Sequence, residues 1–168
     1  RMGTAFVDRG RCLPWAMDRP CLVCHELCPV SPKAIFTRTV FETIREGEGL
    51  PARVQGQTVV LEAAFPAHTN LISGDFYLRP RGAPDAGLRR ITGLAGVGLI
   101  LERPLTGEEL AAAGGKVDIV VRLLRPFVDA ARCTGCGMCE HECPVSGLRA
   151  IRVYSENESR SRPGRMLI

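Results

Sequence analysis

The chain holds 168 residues, 24% of them charged and 45% apolar, with a formal net charge of +4, the make-up of one ordinary globular domain or of a small domain carrying a large insertion. No apolar run approaches the roughly 18 residues that span a bilayer as a helix; the longest, Leu94 to Leu101, is short and holds two glycines. Twenty arginines against two lysines (Lys33 and Lys116) make the basic excess, but they are scattered and aromatics are few, which argues against nucleic acid and leaves a biased composition or a basic binding face.

The first residue is Arg1, and no charged-then-apolar segment with a small-residue cleavage site follows it. A processed chain, or one cut from something longer, is expected; cytoplasmic and exported locations both stay open. The eight cysteines form one quartet near each end, with none between residues 29 and 132. A disulfide framework spreads its cysteines over many loops of a smaller chain, so two tight quartets point to metal.

The first quartet reads Cys12-x8-Cys21-x2-Cys24-x3-Cys28-Pro29. Its leading cysteine is displaced upstream by Leu13 to Pro20, which contains Pro14, Trp15 and Pro20. A loop of that length adds little closure entropy and can return Cys12 to a shared centre; a three-iron cluster lacking one ligand is the alternative. Ser31-Pro-Lys-Ala-Ile-Phe36 then forms a small polar turn entering a strand.

Strand signals dominate the middle. Residues 37 to 45 fit helix or strand, and Thr58-Val-Val-Leu-Glu62 is short and β-branched. Leu94 to Leu101, followed by Glu102-Arg-Pro104, predicts a strand or a tight hairpin bent at Gly96 and Gly98. Thr106-Gly-Glu-Glu109 is a capping box opening a brief helix that Gly114-Gly115 stops. Val117, Ile119, Val121 and Leu123 alternate on one face of a strand, with Asp118 and Arg122 opposite. The glycines of Gly93-Leu-Ala-Gly96-Val-Gly98 stand in the wrong order for a nucleotide loop and mark a turn. His68 reads as a loop residue, and Asp75, Asp85 and Asp118 make no acid–base pair, so the middle offers no catalytic constellation.

The second quartet reads Cys133-Thr-Gly-Cys136-Gly-Met-Cys139-Glu-His-Glu-Cys143-Pro144. C-x2-C-x2-C-x3-C-P lets one short loop wrap a cubane and ligate three of its four irons, with the fourth thiolate supplied from elsewhere. Gly135 and Gly137 let backbone N–H groups approach the cluster, and Pro144 turns the chain away. Zinc is the competing metal, but it usually takes two separated C-x2-C knuckles. His25 and His141 lie inside the loops as candidates for tuning a potential, or as plain exposed loop residues. Ser146-Gly-Leu-Arg-Ala-Ile-Arg-Val153 repeats the turn-then-strand pattern of residues 31–36, so one unit occurs twice. The Arg-rich end, Ser159 to Arg165, is a solvated tail or a contact for an acidic partner.

These residues resemble the dicluster ferredoxin superfamily. Met2-Gly-Thr-Ala-Phe-Val-Asp8 before Cys12, the stretched first quartet, and Pro126-Phe-Val-Asp-Ala-Ala-Arg132 before the second resemble, more narrowly, the ferredoxin-type proteins of the periplasmic nitrate reductase and methylamine utilisation systems (NapG and MauM). The resemblance implies an α+β fold in which a bacterial dicluster ferredoxin-like core (1–36 with 126–158) is split by a long β-rich insertion (37–125), with a tail at 159–168. It implies two [4Fe–4S] clusters, with the fourth cysteine of each run crossing over. Cluster one is then held by Cys12, Cys21, Cys24 and Cys143, and cluster two by Cys133, Cys136, Cys139 and Cys28; two self-contained loops are the alternative. The function implied is electron transfer as a module of a larger redox relay, with redox protein partners that include a membrane quinol-oxidising component. The competing reading is a piece of a catalytic oxidoreductase whose active site lies elsewhere.

Overall fold

In a computed structural model, the described residues are 1–44, 49–62, 71, 73–84 and 87–159. His68, Asp85 and the tail from residue 160 lie outside them. The elements in chain order are β1 (Thr4–Val7), α1 (Leu13–Ala16), α2 (Val23–Glu26), β2 (Ile35–Thr43), β3 (Leu50–Gln55), β4 (Thr58–Leu61), β5 (Phe76–Pro80), β6 (Arg89–Ala95), β7 (Gly98–Leu101), α3 (Gly107–Ala112), β8 (Lys116–Val128), α4 (Met138–His141) and β9 (Ile151–Tyr154). Strands predominate and every described helix is short. The chain divides into two units, Arg1–Val40 with Leu123–Ile168, and Phe41–Arg122.

In the first unit a strand, a cysteine loop, a short helix and a second strand occur twice, as β1-α2-β2 and β8-α4-β9. The two copies are interleaved. β1 pairs antiparallel with β9, matching Thr4 with Tyr154 and Val7 with Ile151, and β2 lies beside β8, with the Asp129 N–H donating to the Ala34 carbonyl at 2.7 Å. The buried core contains Ala5, Ala34, Ile35, Ala150 and Ile151, and its other members are Cys12, Cys28, Cys133, Cys139 and Cys143. Small apolar side chains and thiols bury little hydrocarbon, so this unit has a weak hydrophobic core of its own.

The second unit owes its shape to ring closure. β8 pairs with β3, β3 with β4, β4 with β7, β7 with β6, β6 with β5, and β5 again with β8. Those pairings make a closed antiparallel six-strand barrel, which removes the open edges a flat sheet would carry. Leu78, Ile91, Val117, Ile119, Val121 and Val59 are essentially inaccessible and fill a ring too narrow to hold a channel. The alternation expected in β8 is present, but Val120, on the opposite face, is buried as well. Residues 94–101 form a hairpin, not one strand, turning at Gly96, whose φ of +61° favours glycine. Residues 37–43, ambiguous in sequence, are extended as part of β2. The capping box is formed, with the Glu109 N–H donating to Thr106 Oγ1 and the Thr106 N–H to Glu109 Oε2.

Three acids of this unit pair with arginines: Asp75 accepts from Arg122 at 2.7 Å, Asp118 lies 3.6 Å from Arg79, and Glu109 lies 2.5 Å from Arg89. Hydrogen bonding from the Thr106 backbone, helped by Arg89, holds Glu109 below the usual carboxylate range.

Ile119→Ala should destabilise the barrel by about 2–5 kcal/mol, the range for an aliphatic truncation that leaves a cavity in a close-packed core. The measurement is the urea midpoint followed by far-ultraviolet circular dichroism, and the iron content of the folded fraction should not change.

Candidate metal centres

Each cysteine run is launched by the same turn. Val7-Asp8 ends β1 and Val128-Asp129 ends β8. Asp8 Oδ1 accepts from the Gly10 N–H at 3.0 Å, and Asp129 Oδ1 from the Ala131 N–H at 2.9 Å. The Cys12 N–H then donates to the Asp8 carbonyl at 3.1 Å, and the Cys133 N–H to the Asp129 carbonyl at 3.0 Å. Such aspartate turns reverse the chain within a few residues and deliver the first cysteine of each run into the unit. The matching sequence, Phe-Val-Asp-x-x-Arg-Cys at 6–12 and at 127–133, is a heptad repeat that spacing analysis of the cysteines alone passes over.

The end of each run is fastened by a cation. Lys33 Nζ donates to the carbonyls of His25, Glu26 and Cys28 at 2.9, 2.6 and 3.2 Å. Arg149 Nη1 donates to those of Cys143 and Val145 at 2.7 and 2.9 Å. Both precede the buried Ala-Ile pair that opens the following strand. Lys33 thereby satisfies two carbonyls at the end of the one-turn α2, and both cations hold the turn that follows the last cysteine of their run. His25 is a structural pin, its Nδ1 lying 2.7 Å from the Ile35 carbonyl. His141 is 82% exposed and pairs with Glu142.

The eight thiols line two cavities. One, of about 330 Å³ of atom-free space, is lined by Cys12, Cys21, Cys24 and Cys143, with Val7, Leu13, Pro126, Pro144, Val145, Ala150 and Ile151 around them. The other, of about 310 Å³, is lined by Cys28, Cys133, Cys136 and Cys139, with Ala5, Pro29, Val30, Ala34, Ile35 and Val153. Each cavity therefore takes three cysteines from one run and the last cysteine of the other. α2 and α4, which carry Cys24 and Cys139, pack together. The Ala5 N–H of β1 points at Cys133 Sγ across 3.4 Å, a donor suited to a thiolate. Cys136 is exposed, unlike its companions.

Close approach explains one glycine. A Cβ on Gly135 would lie 2.4 Å from the Gly3 backbone N, and its φ is +72°. The second cysteine loop is thus pressed against the start of β1, and the space that sequence reading reserves for a cluster is needed here by the chain itself. Gly137, at φ +81°, has open space around it.

Burial sets the thiol electrostatics. Desolvation, with neighbouring sulfurs adding, pushes Cys12 up to about 11 and Cys24 and Cys139 up to about 12. Burial raises Cys21 as well. Desolvation also acts on Cys28, but the N–H groups of Val30, Ile35 and Ala34 and the Lys33 charge outweigh it and bring that thiol down. The donor set fits a cluster better than a lone ion. Tetrahedral zinc at about 2.3 Å from each sulfur needs donors converging on one point, and among the described residues no three His, Cys, Asp or Glu side chains are so grouped. Irons spread over a cube accept thiolates set further apart around a dry, apolar cavity.

Residues 124–145 match the model of the 4Fe-4S binding domain family, and the chain is 39% identical over 62 residues to the methylamine utilization ferredoxin-type protein MauM of Paracoccus denitrificans (strain Pd 1222). Part of the chain thus resembles a 4Fe–4S binding domain and the ferredoxin-type protein MauM. The aligned stretch is 37% of this chain and 27% of that relative, little more than a quarter of its length. No solved structure matches the chain. The matched domain takes in Cys133, Cys136, Cys139 and Cys143 and supports at least one 4Fe–4S cluster.

Gly135→Ala should cost about 1–2 kcal/mol for the left-handed backbone alone and must also displace Gly3; the iron-to-protein ratio after anaerobic purification should fall. Ligation requires thiolates, so each raised thiol releases a proton when it binds at neutral pH. Reconstitution with iron and sulfide should therefore become more favourable from pH 6.5 to pH 8.5, read as the yield of the broad visible absorbance.

Proposed function

We propose that the chain transfers electrons through two [4Fe–4S] clusters, one in each thiol-lined cavity, on a dicluster ferredoxin-like core interrupted by the barrel. Cys12, Cys21, Cys24 and Cys143 hold one cluster; Cys133, Cys136, Cys139 and Cys28 hold the other. The observation that carries this reading is the grouping of the eight thiols into two sets of four around two apolar cavities. The interleaved strands of the repeated unit, the matched domain and the likeness to MauM support it.

When bound, each cluster supplies one-electron oxidation and reduction without bond breaking. The residues of this chain do the rest. Val7, Leu13, Val145, Ala150 and Ile151 on one side, and Ala5, Val30, Ala34, Ile35 and Val153 on the other, keep water off the sulfides and limit the reorganisation that accompanies each change of charge. N–H donors such as that of Ala5 offset the negative charge of the thiolates. Lys33 and Arg149 hold the ends of the two runs, and so the crossing cysteines, in place. A two-cluster chain is a short wire, and the reading includes redox proteins as partners at both ends.

Anaerobically purified protein should contain about eight irons and eight sulfides per chain, absorb near 400 nm and bleach with dithionite. Cys28→Ala should damage the cluster of the C-terminal run first, and Cys143→Ala that of the N-terminal run, followed by electron paramagnetic resonance of the reduced protein. A colourless zinc protein, or Cys28→Ala that damages the N-terminal cluster, would overturn the reading.

A further inference from the structure

Around the displaced Cys12 loop three arginines stand over two aromatic rings. Arg9 stands over Trp15 with its guanidinium carbon 4.4 Å from the ring centroid, Arg125 over the same ring at 4.8 Å, and Arg38 over Phe127 at 4.7 Å. The rings are themselves a stack: Phe36 lies parallel to Phe127 with centroids 5.5 Å apart, and Trp15 meets Phe127 edge-on at 5.4 Å. Arg9, Phe36 and Arg38 are exposed and the others half-buried. Among the described residues neither Arg9 nor Arg38 has a carboxylate partner, although arginines in the barrel do. Stacking fixes a guanidinium plane and leaves its N–H edges facing outward, an arrangement suited to a carboxylate and not merely to solvent.

This patch adjoins one centre. Leu13 and Pro126, which line the cavity of Cys12, Cys21, Cys24 and Cys143, are sequence neighbours of the stacked rings. The Trp15 N–H donates to the Cys12 carbonyl at 2.9 Å, the indole N–H donates to the Pro126 carbonyl at 3.3 Å, and Trp15 packs on the core that contains Cys12. Beside it, a groove of about 240 Å³ runs between β1 and the end of β8, with Arg9 and Phe127 on its wall. The extra residues between Cys12 and Cys21 thus do more than return a ligand. They supply the tryptophan on which two of the cations rest.

We propose that this stacked arginine–aromatic face, together with its groove, is the docking surface through which the centre of Cys12, Cys21, Cys24 and Cys143 exchanges electrons with an acidic redox protein. It rests on the two-cluster reading above. Apolar rings at the middle of a patch with cations around them match the usual anatomy of a transient interface, in which charge steers the approach and aromatics supply contact. In the exchange one electron leaves the reduced cluster and one is gained by the partner; no bond forms or breaks.

The test uses holoprotein with its iron and sulfide counted, an acidic flavodoxin and a basic c-type cytochrome as probes, and the double variant Arg9→Glu with Arg38→Glu. At low salt the variant should bind oxidised flavodoxin at least tenfold more weakly by calorimetry, and its reduced form should pass electrons to flavodoxin at least tenfold more slowly. Both differences should collapse at high salt. Electron transfer to the cytochrome should accelerate, which damage to the fold would not produce, and Arg103→Glu, an exposed reversal on the barrel, should leave all of these values alone. Should the reversed variant be poorly folded, Arg9→Gln with Arg38→Gln must give the same directions with smaller changes. Full clusters with wild-type affinity and rate toward flavodoxin would overturn the proposal. So would a face whose reversal abolishes binding to phosphatidylglycerol vesicles while leaving flavodoxin exchange intact, since that outcome assigns it to a membrane surface. A wild-type chain without clusters brings down the two-cluster reading and this one with it, and the iron count distinguishes that failure from the others.

Discussion

Neither half of the cysteine-bearing unit is complete without the other. The cavity of each run is closed by the last cysteine of the opposite run, β1 pairs with β9, and the N-terminal strand lies so close to the second loop that Gly135 has no room for a Cβ. This mutual dependence is a topological constraint before it is a chemical one. Residues from the two ends of the chain must meet before any pocket with four thiols exists. Because so much of the core is sulfur and alanine, hydrophobic burial offsets only part of the ordering entropy; on the two-cluster reading, ligation contributes the remainder.

A large insertion is compatible with that constraint because of where it starts and ends. β2 and β8 are hydrogen-bonded neighbours, so the intervening chain leaves and returns across a gap of roughly one strand spacing, about 4.8 Å. The closure entropy of a loop grows only logarithmically with its length. The barrel removes even that cost by being ordered, with a core of Leu78, Ile91, Ile119 and their neighbours. Asp75, Asp118 and Glu109 are each paired with an arginine, the work of charges that hold a surface together.

What could be read from residues alone divides by range. The second quartet was legible because one loop wrapping one cubane dictates its own spacing. The Thr106–Glu109 box and the turn at Gly96 were legible because the interactions that make them span a few residues. Ring closure was not, since it depends on matching Phe76 with Val121 and Leu50 with Val117, and neither register leaves a local mark. β3 was obscured by Pro51, a residue usually kept out of inner strands. Nothing in the letters singled out Lys33 or Arg149, because a clamp on several carbonyls becomes visible only once the folded turn presents them together. The Phe-Val-Asp-x-x-Arg-Cys repeat was present in the letters but overshadowed by the cysteines.

The closed ring of the barrel bears on how the chain is matured. Newly made protein must persist for a time without iron or sulfide, and through that period its cysteine-bearing ends lack their strongest fastening. A flat β insertion would meanwhile present unpaired N–H and C=O rows to every neighbouring copy, the usual seed of aggregation. A ring of six strands offers no such template. The cysteine-free barrel is therefore a poor template for recruiting other chains, which gives cluster assembly time to proceed on a partly folded molecule.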